Sequence, residues 1–436
     1  MSILITSFKL KEFIQVWHPR LSKLAGFFLG QGSVQALNIL TGFLLLRWLS
    51  VEQYAIYALV SSFQATVGIL VEMGLAGSLT GLLAGRIDKA TVGGYIESVK
   101  HYRNLLFFFS LPFIAAFFGV FYIRQGWSWN IGIILFFAVL IDAFFLSWTK
   151  YYSLPFLIRH NMAGVYRLQT LFAALRLLGC WILQFSGFIG AALVVSVSAL
   201  ATATMGWAYR FQASPYIEEP KSTDPTKNHE VLHFIRPLVP ATLFFAFQGQ
   251  IGVFLISWFG KVDSIAEVGA LGRISQIFVM LGAFNAVLVA PYIAKTPRKI
   301  LLKRYLCVSF AALGFSALGT FVGFVAPQYL IWILGKNYGD LSPQLGWLIL
   351  SSSIAYLTNV LFSMHSSRKW IFNWGSWAYI FSVLFTQIFM ICTMDLSTTH
   401  AVILFGVFSA TASFLVQVGW GIYGFSMNQS ILRRAT

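Results

Sequence analysis

Apolar runs recur along this chain between short polar stretches, and each approaches the roughly 20 residues that cross a bilayer as a helix. Drawn on that pattern, the spans fall at about 24–47, 54–84, 104–123, 131–151, 163–184, 187–208, 236–259, 264–292, 304–325, 341–363, 371–393 and 399–424. The pattern predicts an all-α polytopic membrane protein with about twelve transmembrane helices. The longest polar stretch, 212–233, carries Pro215, Pro220 and Pro225 among Glu218, Glu219, Lys221 and Asp224 and reads as a linker between halves. The expected organisation is a lead-in at 1–23, a six-helix lobe at 24–211, the linker at 212–233, and a second six-helix lobe at 234–436.

Composition supports this reading. Of 436 residues, 58% are hydrophobic and only 10% charged, more apolar than a soluble core of this size needs. The net charge of +16 suggests nucleic acid in a soluble protein, but here the bases sit in short clusters between apolar runs. With a cytoplasmic N-terminus, roughly 23 of the 30 Lys and Arg fall on the cytoplasmic side, with Arg47, Arg124, Lys261 and Lys336 outside. That asymmetry predicts cytoplasmic termini and no nucleic-acid partner. The segment 1–23 mixes Trp17 and Phe residues with Lys9, Lys11, Arg20 and Lys23, as an amphipathic cytoplasmic lead-in does. Cys180, Cys307 and Cys392 stand singly in apolar runs and read as small core residues, not as metal ligands or a disulfide framework.

The halves echo one another. Val51 and Glu52 open the second helix as Val262 and Asp263 open the eighth, with Ala55 and Ala266 at the same offset. An even number of spans per half makes the lobes parallel repeats about an axis along the membrane normal. Ser50-Val51-Glu52-Gln53-Tyr54-Ala55-Ile56-Tyr57-Ala58-Leu59, Glu72-Met73-Gly74-Leu75, Val268-Gly269-Ala270-Leu271 and Leu334-Gly335-Lys336-Asn337-Tyr338 follow in order along the chain. In type and order these segments resemble the multidrug/oligosaccharidyl-lipid/polysaccharide (MOP) flippase superfamily, in particular its bacterial polysaccharide and O-antigen exporters, with Ala55 where the family usually has Gly. The resemblance implies a MATE-like fold of two lobes around a central cavity in the bacterial inner membrane. It also implies alternating access, with a polyprenyl-pyrophosphate-linked oligosaccharide as cargo, membrane lipid around it, and other polysaccharide assembly proteins as partners. No cofactor and no metal are expected.

Candidate chemistry lies in the few polar groups inside spans. Gln31, Gln35 and Asn38 stack on one face of the first helix. They form either a sugar-binding wall, since amides both donate and accept, or glue between helices. Arg273 lies roughly 13 Å along the eighth helix, near mid-membrane. Its nearest acid in sequence, Glu267, is about 240° away round the helix, so Arg273 either faces a watery cavity, where a planar guanidinium suits phosphate, or pairs across the lobes. Arg176 stands equally deep, with two readings: an ion pair with Asp142 on the neighbouring helix, or a split in which Arg176 meets substrate and Asp142 takes up a proton. Arg236, beside Pro237 and Pro240, suits a gate at the cytoplasmic mouth or snorkels to the interface. Asp142 and Glu72 are the candidates for coupling to a proton or sodium ion.

Two other functions compete. A multidrug or cation antiporter of the same superfamily needs an acidic pocket, whereas Arg176 and Arg273 favour an anion. A membrane polysaccharide polymerase or ligase needs a catalytic constellation on a substantial external loop, and the expected external loops are short. No catalytic residue is assigned, and an enzyme is not expected.

Overall fold

The computed structural model describes residues 29–83, 88–159, 161–218, 224–236, 239–287, 289–368, 370 and 372–435. The expected lead-in at 1–23 and part of the expected linker, 219–223, lie outside the described residues. Helices run as α1 (Leu29–Trp48), α2 (Val51–Glu72), α3 (Leu75–Leu82), α4 (Lys89–Gln125), α5 (Trp129–Ile158) and α6 (Met162–Phe185). They continue as α7 (Ala191–Ala213), α8 (Pro225–Ile235), α9 (Val239–Gln248), α10 (Ile251–Phe259), α11 (Val262–Val287) and α12 (Val289–Ala294). The last are α13 (Arg298–Val325), α14 (Pro327–Leu334), α15 (Ser342–Ser367), α16 (Asn373–Thr393) and α17 (Thr399–Ala435). No strand occurs among the described residues. Among the described residues eleven helices are long and apolar enough to span a membrane, or twelve if α8 and α9 are one bent span, and the protein is a multi-pass membrane protein.

Several expected spans are cut differently, each for a local reason. The run expected at 54–84 is two helices, because the chain turns left-handed at Met73 (φ 44°) and Gly74 (φ 80°). Gly tolerates that conformation at no steric cost, and it frees the first amides of α3. The run expected at 236–259 is likewise broken, with a turn at Gly249 and Gln250 separating α9 from α10. The third span is far longer than expected. It starts at Lys89, where Asp88 accepts the Thr91 N–H at 2.8 Å. Hydrogen bonds from Thr91 hold the Asp88 carboxyl below its ordinary range.

The described residues divide into two compact units, one drawn from 29–41 and 67–239, the other from 42–66 and 240–435. In the first unit α5 packs along α7, and a core of Trp148, Tyr151, Tyr152 and Tyr209 forms beside them. Helix α8, which starts inside the polar stretch 212–233 and ends just past it, joins this core through Val231 and Ile235, and the Tyr95 hydroxyl hydrogen-bonds to Glu230. Proline and charge marked a linker there; its two buried aliphatic positions make it a packed helix.

In the second unit α15 packs against α11, α13 and α17. Both echoed openings start helices there, with Glu52 and Asp263 in the first turns of α2 and α11, where an acid complements the helix dipole. Exposed apolar residues such as Phe108 and Phe109 on α4 are the surface a lipid-embedded helix presents. The cysteines are all free: Cys180 is buried as expected, but Cys307 and Cys392 are exposed on apolar helix faces, not in the core.

Candidate functional site

The second unit brings together three of the short segments that sequence analysis singled out. On α2, Tyr54 and Tyr57 lie one turn apart; on α11, so do Gly269 and Arg273. Gly269 is required by close approach, because a Cβ there would stand 2.5 Å from the Ala58 Cβ. With the helices this close, Arg273 Nε donates to the Tyr54 hydroxyl at 3.1 Å, and that hydroxyl donates to the Gly269 carbonyl at 3.4 Å. The guanidinium also lies over the Tyr57 ring, 5.3 Å from its centroid. Its stem rests against Gly42 of α1, where an added Cβ would be 3.2 Å from Cδ. The third segment enters through Tyr338, whose ring meets that of Tyr54 edge-on at 6.3 Å.

Arg273 is thus oriented by two phenols, and among the described residues it makes no ion pair. It opens onto a cavity of about 490 Å³ whose other polar groups include Ser61, Ser62, Gln250, Ser275, Gln276 and Ser351. No acid lines it. The break between α9 and α10 supplies Gly249 and Gln250 to the wall, so the interruption of that span serves the cavity. Non-helical backbone at membrane depth is tolerated where it faces such a space. A guanidinium amid neutral donors and acceptors has the chemistry to hold an anionic group, and the hydroxyls and amides beside it can both donate and accept.

The other candidates stand in the first unit. Arg176 Nη2 donates to the Asn38 Oδ1 at 3.0 Å, so the amide stripe of α1 is met by a guanidinium. Gln31 and Gln35 are half-buried on the same helix. Asp142 hydrogen-bonds with Thr202 and feels the charge of Arg176, but the two form no ion pair within 4.0 Å. Arg236 is exposed at the end of α8.

Glu72 is engaged twice: its carboxylate accepts the Ala76 N–H at 2.6 Å and faces Lys150 at 3.5 Å. The first contact caps α3 after the Met73–Gly74 turn. Glu72→Ala should therefore lower stability by about 1 kcal/mol, while Glu72→Gln, which keeps an acceptor, should lose much less. Thermal unfolding of the two variants in detergent checks this; equal losses would remove the capping role.

Sequence reasoning missed three groups. The Tyr54–Tyr57 pair was quoted as part of a segment but given no role, although phenols one turn apart were the available signal. Arg103 falls just before the expected span 104–123 and carries no expectation. It is 1% exposed, lies 4.1 Å over the Phe144 ring, and leaves Nε and Nη1 without hydrogen-bond partners. His365, just past the expected span 341–363, is buried, with Nε2 3.0 Å from the Tyr305 hydroxyl and Nδ1 3.0 Å from Gln417 Oε1.

With the helices and the site described, the fold is similar to that of solved transporters of the MOP superfamily. Among solved structures, it is similar to a multidrug resistance MATE family transporter of that superfamily in its inward-facing conformation, with TM-score 0.63, 13% identity, and 92% of this chain and 96% of that one covered. It is similar to the lipid II flippase MurJ in an inward closed conformation, with TM-score 0.66, 13% identity, and 90% and 86% covered. A Pyrococcus furiosus MOP superfamily transporter, described as having a binding pocket of reverse polarity that suggests a different function, matches at TM-score 0.58, 12% identity, and 94% and 95% covered. No family model matches the sequence, and no match is found among curated proteins.

Proposed function

We propose that this protein translocates a lipid-diphosphate-linked oligosaccharide across a bacterial inner membrane, as polysaccharide and O-antigen exporters do. The observation that carries the reading is Arg273: a guanidinium held by Tyr54 and Tyr57, without a carboxylate partner among the described residues, on a cavity with no acid in its lining. Such a group prefers a phosphate, and the surrounding hydroxyls and amides prefer neutral sugar. That a lipid II flippase shares the fold accords with a lipid-linked cargo. The polyprenyl tail stays in the membrane while the headgroup passes inside the protein.

Asp142 is the better coupling residue for a proton or sodium ion, because the Glu72 carboxylate is already committed to Ala76 and Lys150. Arg176, beside Asn38, serves as a second anion contact in its own unit, with Gln31 and Gln35 on the same helix as sugar contacts, and exposed Arg236 gathers anionic headgroups at the cytoplasmic mouth. The basic clusters support a cytoplasmic side for both termini.

Reconstitution into proteoliposomes tests the substrate class. Fluorescent undecaprenyl-diphospho-oligosaccharide should cross at a rate saturating with substrate, whereas a lipophilic cation such as ethidium should be transported no faster than in empty liposomes. Cation transport with no movement of the anionic lipid would establish the antiporter reading instead.

A further inference from the structure

A second cavity, of about 220 Å³, adjoins the Arg273 cavity: Ser275 and Val279 line both. It lies further along α11, between that helix and α15, and its polar lining is Ser275, Ser352, Tyr356 and Asn359, with no charged residue. We propose that this compartment is a neutral sugar subsite, receiving the pyranose ring attached to a phosphate held at Arg273. The inference rests on the lipid-diphosphate reading of the adjoining cavity and assigns the sugar-proximal contacts to α11 and α15, in addition to those proposed for α1.

Four features make the compartment a built site. Asn359 is exposed on the face of a helix otherwise suited to a membrane, where an amide turned to lipid would leave donors unsatisfied; it opens into the cavity instead. Its orientation is fixed, because Asn285 Nδ2 donates to Asn359 Oδ1 at 3.1 Å, which leaves the Asn359 amide N–H groups for a ligand. Gly282 opposite carries no side chain to cover that amide, since a Cβ there would stand 3.4 Å from Oδ1. Tyr356 hydrogen-bonds with Asn285, and its ring adds an apolar surface of the kind that the C–H face of a pyranose covers.

The Ser275 and Ser352 hydroxyls, 2.9 Å apart, stand at the junction with the first cavity, where each retains acceptor capacity for a sugar hydroxyl. From Arg273 to Gly282 the helix rises roughly 13 Å, short enough for a diphosphate and the sugar directly attached to it. The division of labour follows from charge. A phosphate gains a charge-assisted, bidentate contact at the guanidinium that the uncharged compartment cannot match, while a neutral polyol gains hydrogen bonds there without needing a counter-charge.

The test compares two probes on the full-length protein in lipid nanodiscs: undecaprenyl diphosphate, and the same lipid carrying one N-acetylglucosamine, with binding read by native mass spectrometry. The wild type should bind the glycosylated probe about tenfold tighter, as one or two net hydrogen bonds provide. Asn359→Leu should erase that ratio while the affinity for the bare lipid stays unchanged, which also shows that the variant is folded. Tyr356→Leu, removing the ring but not the bulk, should reduce the ratio by severalfold. A wild-type ratio near one, or a ratio that survives both substitutions, overturns the subsite even if Arg273→Ala weakens both probes and so upholds the phosphate contact. The converse is equally separable: if Arg273→Ala leaves both affinities intact while Asn359→Leu abolishes the preference, the phosphate reading falls and the sugar subsite stands.

Discussion

Arg273→Glu should abolish translocation of the diphosphate-linked glycan, with a fall of roughly a hundredfold or more, at unchanged protein level. The substitution exchanges the one cation on a cavity without acids for an anion facing an anionic cargo, so a favourable charge-assisted contact becomes repulsion inside a low-dielectric space. Arg273→Lys should retain part of the rate. An ammonium keeps the charge but cannot maintain the fork that contacts the Tyr54 hydroxyl and the Tyr57 ring while presenting further N–H groups to phosphate. Arg273→Gln, which is uncharged and planar at its amide, should fall between Lys and Glu. Initial rates in proteoliposomes, normalised to the protein incorporated, give the ranking Arg > Lys > Gln > Glu. Full transport by the Glu variant would show that no phosphate meets this residue.

The dependence on Tyr54 explains why so little of this site was readable along the chain. The number of apolar runs and their lengths already specify a helical membrane protein, because a bilayer admits few other solutions. Where the chain breaks within those runs is decided by single residues. Met73 and Gly74 stop α2, and Gly249 with Gln250 stops α9, yet many other glycines in this chain lie inside unbroken helices. Helix α8 is hard to see along the chain because it starts in a polar stretch and only Val231 and Ile235 need cover, too few apolar positions to set a period.

Arg273 was conspicuous as a charge in an apolar run, but its partners Tyr54 and Gly42 are more than 200 positions away and are fixed by packing between helices. Asn38 and Arg176, 138 positions apart, and His365 and Gln417, 52 apart, are likewise paired by packing between helices. Polar residues inside membranes announce that they have partners; their identity is a property of the fold.

The close approach of α2 and α11 sets the Arg273 site, and the final prediction tests it. Gly269→Ala inserts a methyl that would stand 2.5 Å from Ala58 Cβ, well inside contact distance, so the helices must separate. Overpacking of this kind costs about 1–3 kcal/mol. Separation also lengthens the Tyr54–Gly269 contact and swings the Tyr54 hydroxyl away from Arg273 Nε, so transport should fall further than the stability loss explains. The double variant Ala58→Gly with Gly269→Ala places the methyl on the other helix and restores the original spacing. It should recover most of both the unfolding temperature and the transport rate, a coupling that only neighbouring residues show. Thermal unfolding and proteoliposome flux for the four members of this cycle measure it. Additive effects of the two substitutions would mean that the α2–α11 contact does not position the guanidinium, and the electrostatic argument for Arg273 would then lose its geometric support.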